Sequence, residues 1–257
     1  MPHLLDNISI VGCGSWHGMT AYSKGVAANS FLLDAGDEMA LIDPGLPEGV
    51  PDVLTNIRAL GKDPRRIKKI LLTHAHDDHT AGLAEMLKHV HADAVVFGHR
   101  LTRETLAGER GIYHPDFLPR GHVNGPVHEI VKEGDTVHVG RIELKVWEFP
   151  GHTPDGIGFA LPLSVGPACL IGDSLIGDQP MRQGVIGWLD WHWGSKLTDY
   201  RRTLQRIREM NLCAFFGGHG NAHLTRASCE SSAHHALEGL ERLMAVPNLD
   251  WLIAMDM

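Results

Sequence analysis

The run Thr73-His74-Ala75-His76-Asp77-Asp78-His79-Thr80 places three histidines and two aspartates within six positions, directly after the apolar run Ile70-Leu71-Leu72. Neutral imidazole and carboxylate together suit zinc, iron or manganese. A strand that ends in such a loop can aim several donors at one point. Three more donors follow, each at the end of an apolar run: His152, Asp173 and His219. Seven donors are enough for two divalent ions that share one carboxylate. Two ions close together hold and activate a water, and that predicts hydrolysis.

Local spacing refines this reading. His74 and His76 lie two apart, so in an extended loop they point to the same side and can grip one ion. Asp78 and His79 follow where the chain turns into a helix and can reach a second position. His152 sits in Pro150-Gly151-His152-Thr153-Pro154, a tight turn. Asp173 ends a strand in Ile171-Gly172-Asp173-Ser174. His219 is flanked by glycines that let the backbone come close.

In this order His-x-His-x-Asp-His, Gly-His-Thr-Pro, Gly-Asp-Ser and Gly-Gly-His-Gly resemble the metallo-β-lactamase superfamily. Asn29-Ser30-Phe31-Leu32-Leu33 and Leu41-Ile42-Asp43-Pro44-Gly45 are similar to its opening strands. The resemblance runs from about Asn29 to His219. It implies a four-layer αβ/βα sandwich of two mixed sheets flanked by helices, with the metals at one edge. It also implies that His74, His76 and His152 hold the first ion, that Asp78, His79 and His219 hold the second, and that Asp173 bridges them. Aspartate at 173 is closer to the glyoxalase II, lactonase and general hydrolase branches than to the antibiotic-hydrolysing members, which usually place other ligands there. Asp43 in this pattern supports the metal histidines by orienting them; it equally suits a turn cap before Pro44-Gly45.

The expected chemistry is attack by a metal-bridging hydroxide on the carbonyl of an ester, thioester or lactone, with zinc as the default and iron or manganese as alternatives. Asp78 is the candidate proton shuttle, and Ser174 has no dedicated base that would make it a nucleophile. A mononuclear iron sulfur dioxygenase is the runner-up, and retention of both His79 and His219 favours two metals over it. A phosphodiesterase of the same fold is a third reading, and a binding protein with a spent site is a fourth.

Substrate contacts are harder to read. Three of the six tryptophans fall in Trp188-Leu189-Asp190-Trp191-His192-Trp193, between Asp173 and His219. Trp188, Trp191, His192 and Trp193 are candidates for an aromatic wall around an apolar substrate. Core packing or a subunit interface would use the same rings equally well. Tyr113 and His223 are further candidates, and Tyr200 is a candidate donor to the substrate. The histidines at 89, 91, 99, 128, 138, 234 and 235 read as surface or packing residues.

The elements that must position these groups alternate. Asn29–Leu33 and Met39–Ile42 read as strands, Val50–Leu60 as a helix stopped by Gly61, and Ile67–Leu72 as a buried strand. The residues after His79 read as one helix through Val90, followed by a strand at Ala94–Phe97. Residues 108–127 read as a long loop. Strands follow at Ile142–Phe149, Gly158–Leu163, Ala168–Ile171 and Leu212–Phe216. Helices are expected at Asp199–Met210 and Thr225–Met244.

The 257 residues, 43% hydrophobic and 21% charged, fit one domain over the whole chain. A net charge of −8 argues against nucleic acid, which needs a basic face; Arg65-Arg66-Ile67-Lys68-Lys69 leads into a strand instead. No apolar run approaches the roughly 20 residues that span a bilayer. The four cysteines show no CxxC spacing, so a reducing, cytoplasmic setting is expected. The hydrolase reading implies a small-molecule substrate as the partner. The tryptophan cluster and Leu249–Met257 are candidates for a homo-oligomer interface.

Overall fold

A computed structural model describes residues 3–13, 23–24, 28–110, 125–178, 184–187, 189 and 193–246. The first sheet carries seven strands in chain order: β1 (His3–Leu5), β2 (Ile8–Gly12), β3 (Ser30–Asp34), β4 (Met39–Ile42), β5 (Ile67–Leu71), β6 (Val95–Gly98) and β7 (Glu129–Ile130). It is antiparallel from β1 to β4 and parallel from β4 to β7. The second sheet comprises β8 (Thr136–Val139), β9 (Ile142–Glu148), β10 (Ile157–Leu163), β11 (Gly166–Gly172) and β12 (Ala214–Gly217). Its strands are antiparallel except for the parallel pair of β11 and β12.

Alternation along the strands explains the layering. In β3, Phe31 and Leu33 face the second sheet, while Leu32 faces outward. Likewise Ala40 and Ile42 of β4 point inward, and Met39 and Leu41 point outward. In the second sheet Ala168, Leu170, Ala214 and Phe216 fill the space between the sheets, whereas Cys169, Ile171 and Phe215 face out. Both faces of these strands are buried, which is why they read as continuous apolar runs.

Helices cover both outer faces. On the first sheet Val53, Leu54 and Ile57 of α1 (Val50–Ala59) pack against Leu32, Leu41 and Ile70. Further along come α2 (Asp77–Thr80), α3 (Leu83–Met86) and α4 (Arg100–Leu106). On the second sheet Tyr200, Leu204 and Ile207 of α5 (Leu197–Glu209) join Cys229, Ala233 and Leu237 of α6 (Arg226–Met244) against Ile171 and Phe215. The result is the four-layer αβ/βα sandwich. No helix among the described residues is long and apolar enough to cross a membrane.

The single helix expected after His79 is instead two short ones. Gly82 N–H donates to Gly45 O at 2.7 Å rather than continuing a helical ladder. A Cβ at Gly82 would meet the Gly45 and Pro44 carbonyls at 2.9 and 3.0 Å, so only glycine allows this docking. His99, one of the histidines expected on the surface or in packing, caps α4 by accepting the Leu101 N–H. His128 accepts the Val96 N–H at 2.9 Å, beside the β6–β7 pair.

Candidate metal centre

The loops that follow β4, β5, β9, β11 and β12 meet at one edge of the sandwich. Strand C-terminal ends are where open α/β sheets commonly place their sites. The segment after β5 supplies His74, His76, Asp78 and His79; the turn after β9 supplies His152; Asp173 follows β11, and His219 follows β12. Three groups of donor atoms form, each within 4.8 Å: His74, His76 and His152; His74, His79 and Asp173; and Asp78, His79 and His219. All seven residues singled out from the sequence are thereby brought together.

The distances are those of donor atoms facing one another. His76 Nδ1 lies 3.1 Å from His74 Nε2 and 2.9 Å from His152 Nε2. His219 Nε2 lies 3.0 Å from Asp78 Oδ2 and 3.4 Å from Asp173 Oδ2. Asp173 also reaches toward His79 Nε2, at 3.4 Å, and His152 Nε2, at 3.6 Å. It therefore faces imidazoles of both outer groups.

Burial and charge fit a cation here. His79 is fully buried, and its Nε2 has no hydrogen-bond partner; nor does Asp173 Oδ1. Buried polar atoms left in this way are costly, and a metal ion satisfies them. Burial disfavours the charged forms of His79 and His219, but nearby carboxylates outweigh it. Asp173, Asp78 and Asp43 hold His79 well above its ordinary value, and Asp173 and Asp78 raise His219. Burial likewise opposes ionisation of Asp173 and Asp78. His219 and His79 nevertheless hold Asp173 well below the usual carboxylate range, and His79 and His219 lower Asp78. His74 is pushed well below its ordinary value, first by burial and then by His79, His76 and His152. Divalent ions take neutral imidazole and ionised carboxylate, so an ion bound here would displace the protons that the carboxylates favour on His79 and His219.

Several residues hold the donors in place. Asp43, in a left-handed conformation with φ 51°, accepts from Thr73 N–H at 2.8 Å and from His79 Nδ1 at 2.8 Å. That leaves Nε2 of His79 to face the site. Tyr200, a candidate substrate donor on sequence grounds, is fully buried and donates to the Asp173 carbonyl at 3.2 Å. Ser195 donates to the His152 carbonyl at 2.9 Å. A side chain at Gly218 would overlap Asp173 Oδ1, and one at Gly187 would meet His152 Nδ1 at 2.6 Å.

Asn29, expected from the sequence at the start of a strand, lies just before β3. Its Nδ2 donates to both the Gly217 and Gly220 carbonyls at 3.0 Å, and its N–H donates to Gly218 O at 2.6 Å. The side chain thus clamps the loop that carries His219 from the opposite sheet. Asn29→Ala leaves two carbonyls unpaired, a cost of about 1–3 kcal/mol. Urea unfolding of the metal-free protein should show that loss, and metal titration should show weaker binding at the His219 group. Unchanged stability and binding would remove Asn29 from this role.

Of the candidate substrate contacts, Trp193 is buried with its ring 5.4 Å from that of His76, tilted by 31°. Arg110 donates to its carbonyl at 3.3 Å. His223 is buried away from this role; its Nε2 accepts the Asp178 N–H at 3.1 Å and its ring stacks on Phe215 at 4.4 Å. Trp188, Trp191, His192 and Tyr113 lie outside the described residues, as do Leu249–Met257 and most of the 108–127 loop. The four cysteines are buried and free, and burial pushes the Cys229 thiol up to about 12.

Comparison with known proteins agrees with this geometry. The family model of the metallo-β-lactamase superfamily matches residues 24–219. The chain belongs to that superfamily. A hydroxyacylglutathione hydrolase of Anaeromyxobacter dehalogenans is 34% identical over 128 residues, covering 50% of this chain and 40% of that protein. An atrochrysone carboxyl ACP thioesterase of Aspergillus fumigatus is 29% identical over 195 residues, covering 75% and 50%. The chain thus spans about half the length of the curated relatives it matches. Among solved structures, the subclass B3 metallo-β-lactamase BJP-1 of Bradyrhizobium japonicum superposes with a TM-score of 0.71. That match has 22% identity and covers 95% of this chain and 92% of the other, a likeness of fold.

Proposed function

We propose that the chain is a dinuclear metal-dependent hydrolase of an ester, thioester or lactone. One observation carries this reading: Asp173 faces imidazoles of two separate donor groups at 3.4–3.6 Å, as a carboxylate shared by two ions must. His74, His76 and His152 would hold one ion, and Asp78, His79 and His219 the other. Two divalent cations there would supply an activated water near neutral pH and an electrophile for a carbonyl oxygen.

The chain's own residues do the rest. Asp78, ionised and 3.0 Å from His219, is placed to hold a proton at Oδ2 during attack on the carbonyl. Trp193 beside His76 excludes water from one side and favours an apolar acyl group. The relatives named as a hydroxyacylglutathione hydrolase and an ACP thioesterase favour a thioester among the three bond types. The Asp78, His79 and His219 group supports this reading over a single-iron dioxygenase, which leaves those donors without a task.

The test is elemental analysis of purified protein beside a panel of aryl esters, thioesters, lactones and β-lactams. Close to two metals per chain, with turnover abolished by a chelator and restored by divalent metal, is the expected result. Near-unit iron with oxygen consumption on a persulfide would replace this proposal with the dioxygenase.

A further inference from the structure

We infer that Thr73 is a positioning residue, which passes the orienting effect of Asp43 to His74 and so ties the two metal groups to one carboxylate. The inference rests on the dinuclear reading above. Its basis is a buried chain of hydrogen bonds. Thr73 Oγ1 lies 2.7 Å from Asp43 Oδ2 and 3.1 Å from His74 Nδ1, and all three residues are about 1% exposed.

Donor and acceptor counting fixes the direction of this chain. A carboxylate oxygen only accepts, so the single hydroxyl proton of Thr73 goes to Asp43. Toward His74 the hydroxyl can then only accept. His74 must donate from Nδ1, which leaves the Nε2 lone pair for the ion. Nε2 is the nitrogen that faces His76 Nδ1 at 3.1 Å. The hydroxyl thus selects the tautomer of a group that Asp43 does not itself touch.

The same Asp43 Oδ2 accepts from His79 Nδ1 at 2.8 Å. One oxygen therefore orients an imidazole from each metal group, His79 directly and His74 through Thr73. Thr73 is held on every side. Its N–H donates to Asp43 Oδ1, its carbonyl accepts from Ile157 N–H at 2.9 Å across the two sheets, and Gly172 packs against its hydroxyl. Asp43 itself adopts a left-handed backbone at φ 51°, an unfavourable conformation of the kind that persists where the surroundings fix it.

The role predicts an asymmetric defect. Thr73→Val keeps the shape and removes the hydroxyl. It should weaken one of the two ions by about 10–100-fold, the usual cost of losing an outer partner of a ligating histidine, and leave the other within a few-fold. Thr73→Ser should restore two-site binding. Competition titration of zinc against a chromophoric chelator and cobalt spectra of each variant read this without any assay of turnover. In zinc-loaded wild type with ¹⁵N-labelled histidine, His74 should carry its proton on Nδ1, which tests the relay without substitution. Two sites of unchanged affinity in Thr73→Val, or a His74 proton absent from Nδ1, overturns the relay and leaves the dinuclear reading standing. A wild type that binds fewer than two ions overturns both.

Discussion

Asp173→Ala is expected to lose turnover on every substrate that the wild type accepts, and to purify with well under two metals per chain. The carboxylate lies 3.4 Å from both His79 Nε2 and His219 Nε2 and 3.6 Å from His152 Nε2, so both outer donor groups lose the carboxylate that faces them in one step. Losing an outer partner of a ligating histidine costs about 10–100-fold in affinity or activity, and losing a ligand shared by two ions must cost more. Asp173→Asn separates charge from shape. It keeps one oxygen and the fit against Gly218 but removes the charge that raises His79 and His219. Those histidines should titrate lower in metal-free Asp173→Asn than in wild type, by NMR. Elemental analysis and kcat/KM check the first claim, and Asp173→Ala with two ions and wild-type kcat/KM would disprove the shared-ligand assignment.

The donors were legible in the sequence because histidine and aspartate declare their chemistry by type, and because each stands at the end of an apolar run. The supports were not. Thr73 and Asn29 are ordinary residues in one dimension; their roles come from Asp43, 30 residues away, and from the Gly217–Gly220 loop nearly 190 residues away. Asp43 lay between, since a turn before Pro44-Gly45 explains it as well as a ligand's support does. The β3 and β4 strands and residues 168–172 of β11 were visible as apolar runs because both faces are buried. By contrast β5 is apolar only at Ile67, Ile70 and Leu71 and leaves Lys68 exposed at its start, so it is less buried than a strand over Ile67–Leu72 was expected to be. The alternating β8 and the short β1 gave a weaker signal. The helix after His79 failed at Gly82 because the partner that interrupts it, Gly45, lies on another loop. Tyr200 was visible as part of an amphipathic helix, but its bond to the Asp173 carbonyl depends on packing between α5 and β11.

Metal should stabilise the protein more at alkaline pH than at neutral pH. His79 and His219 have raised values in the metal-free fold, so their contribution is fully present below the ordinary imidazole value of 6.5. It is lost as pH rises through the raised folded values. Deprotonation then leaves Asp78 and Asp173, both favoured in the charged form, close together without their cationic partners. The Tm of metal-free protein should therefore fall as pH is raised above 6.5. Divalent ions take over the neutralising charge and bind neutral imidazole, so loaded protein should not share that decline. His74 acts in the opposite window. Its lowered value makes the unfolded chain take up a proton below 6.5 that the buried imidazole refuses, so its contribution is lost toward acid. The gap in Tm between loaded and metal-free protein should widen from about pH 6.5 to about pH 9. Free metal at about 1,000 times Kd contributes about 4 kcal/mol per ion, about 8 kcal/mol for two, and a chain of this size gains about 2–4 °C per kcal/mol, so the gap should reach roughly 20 °C. Thermal unfolding of chelated and zinc-loaded protein across that range measures it. A gap that narrows with pH would mean that His79 and His219 do not carry the protons which the ions displace.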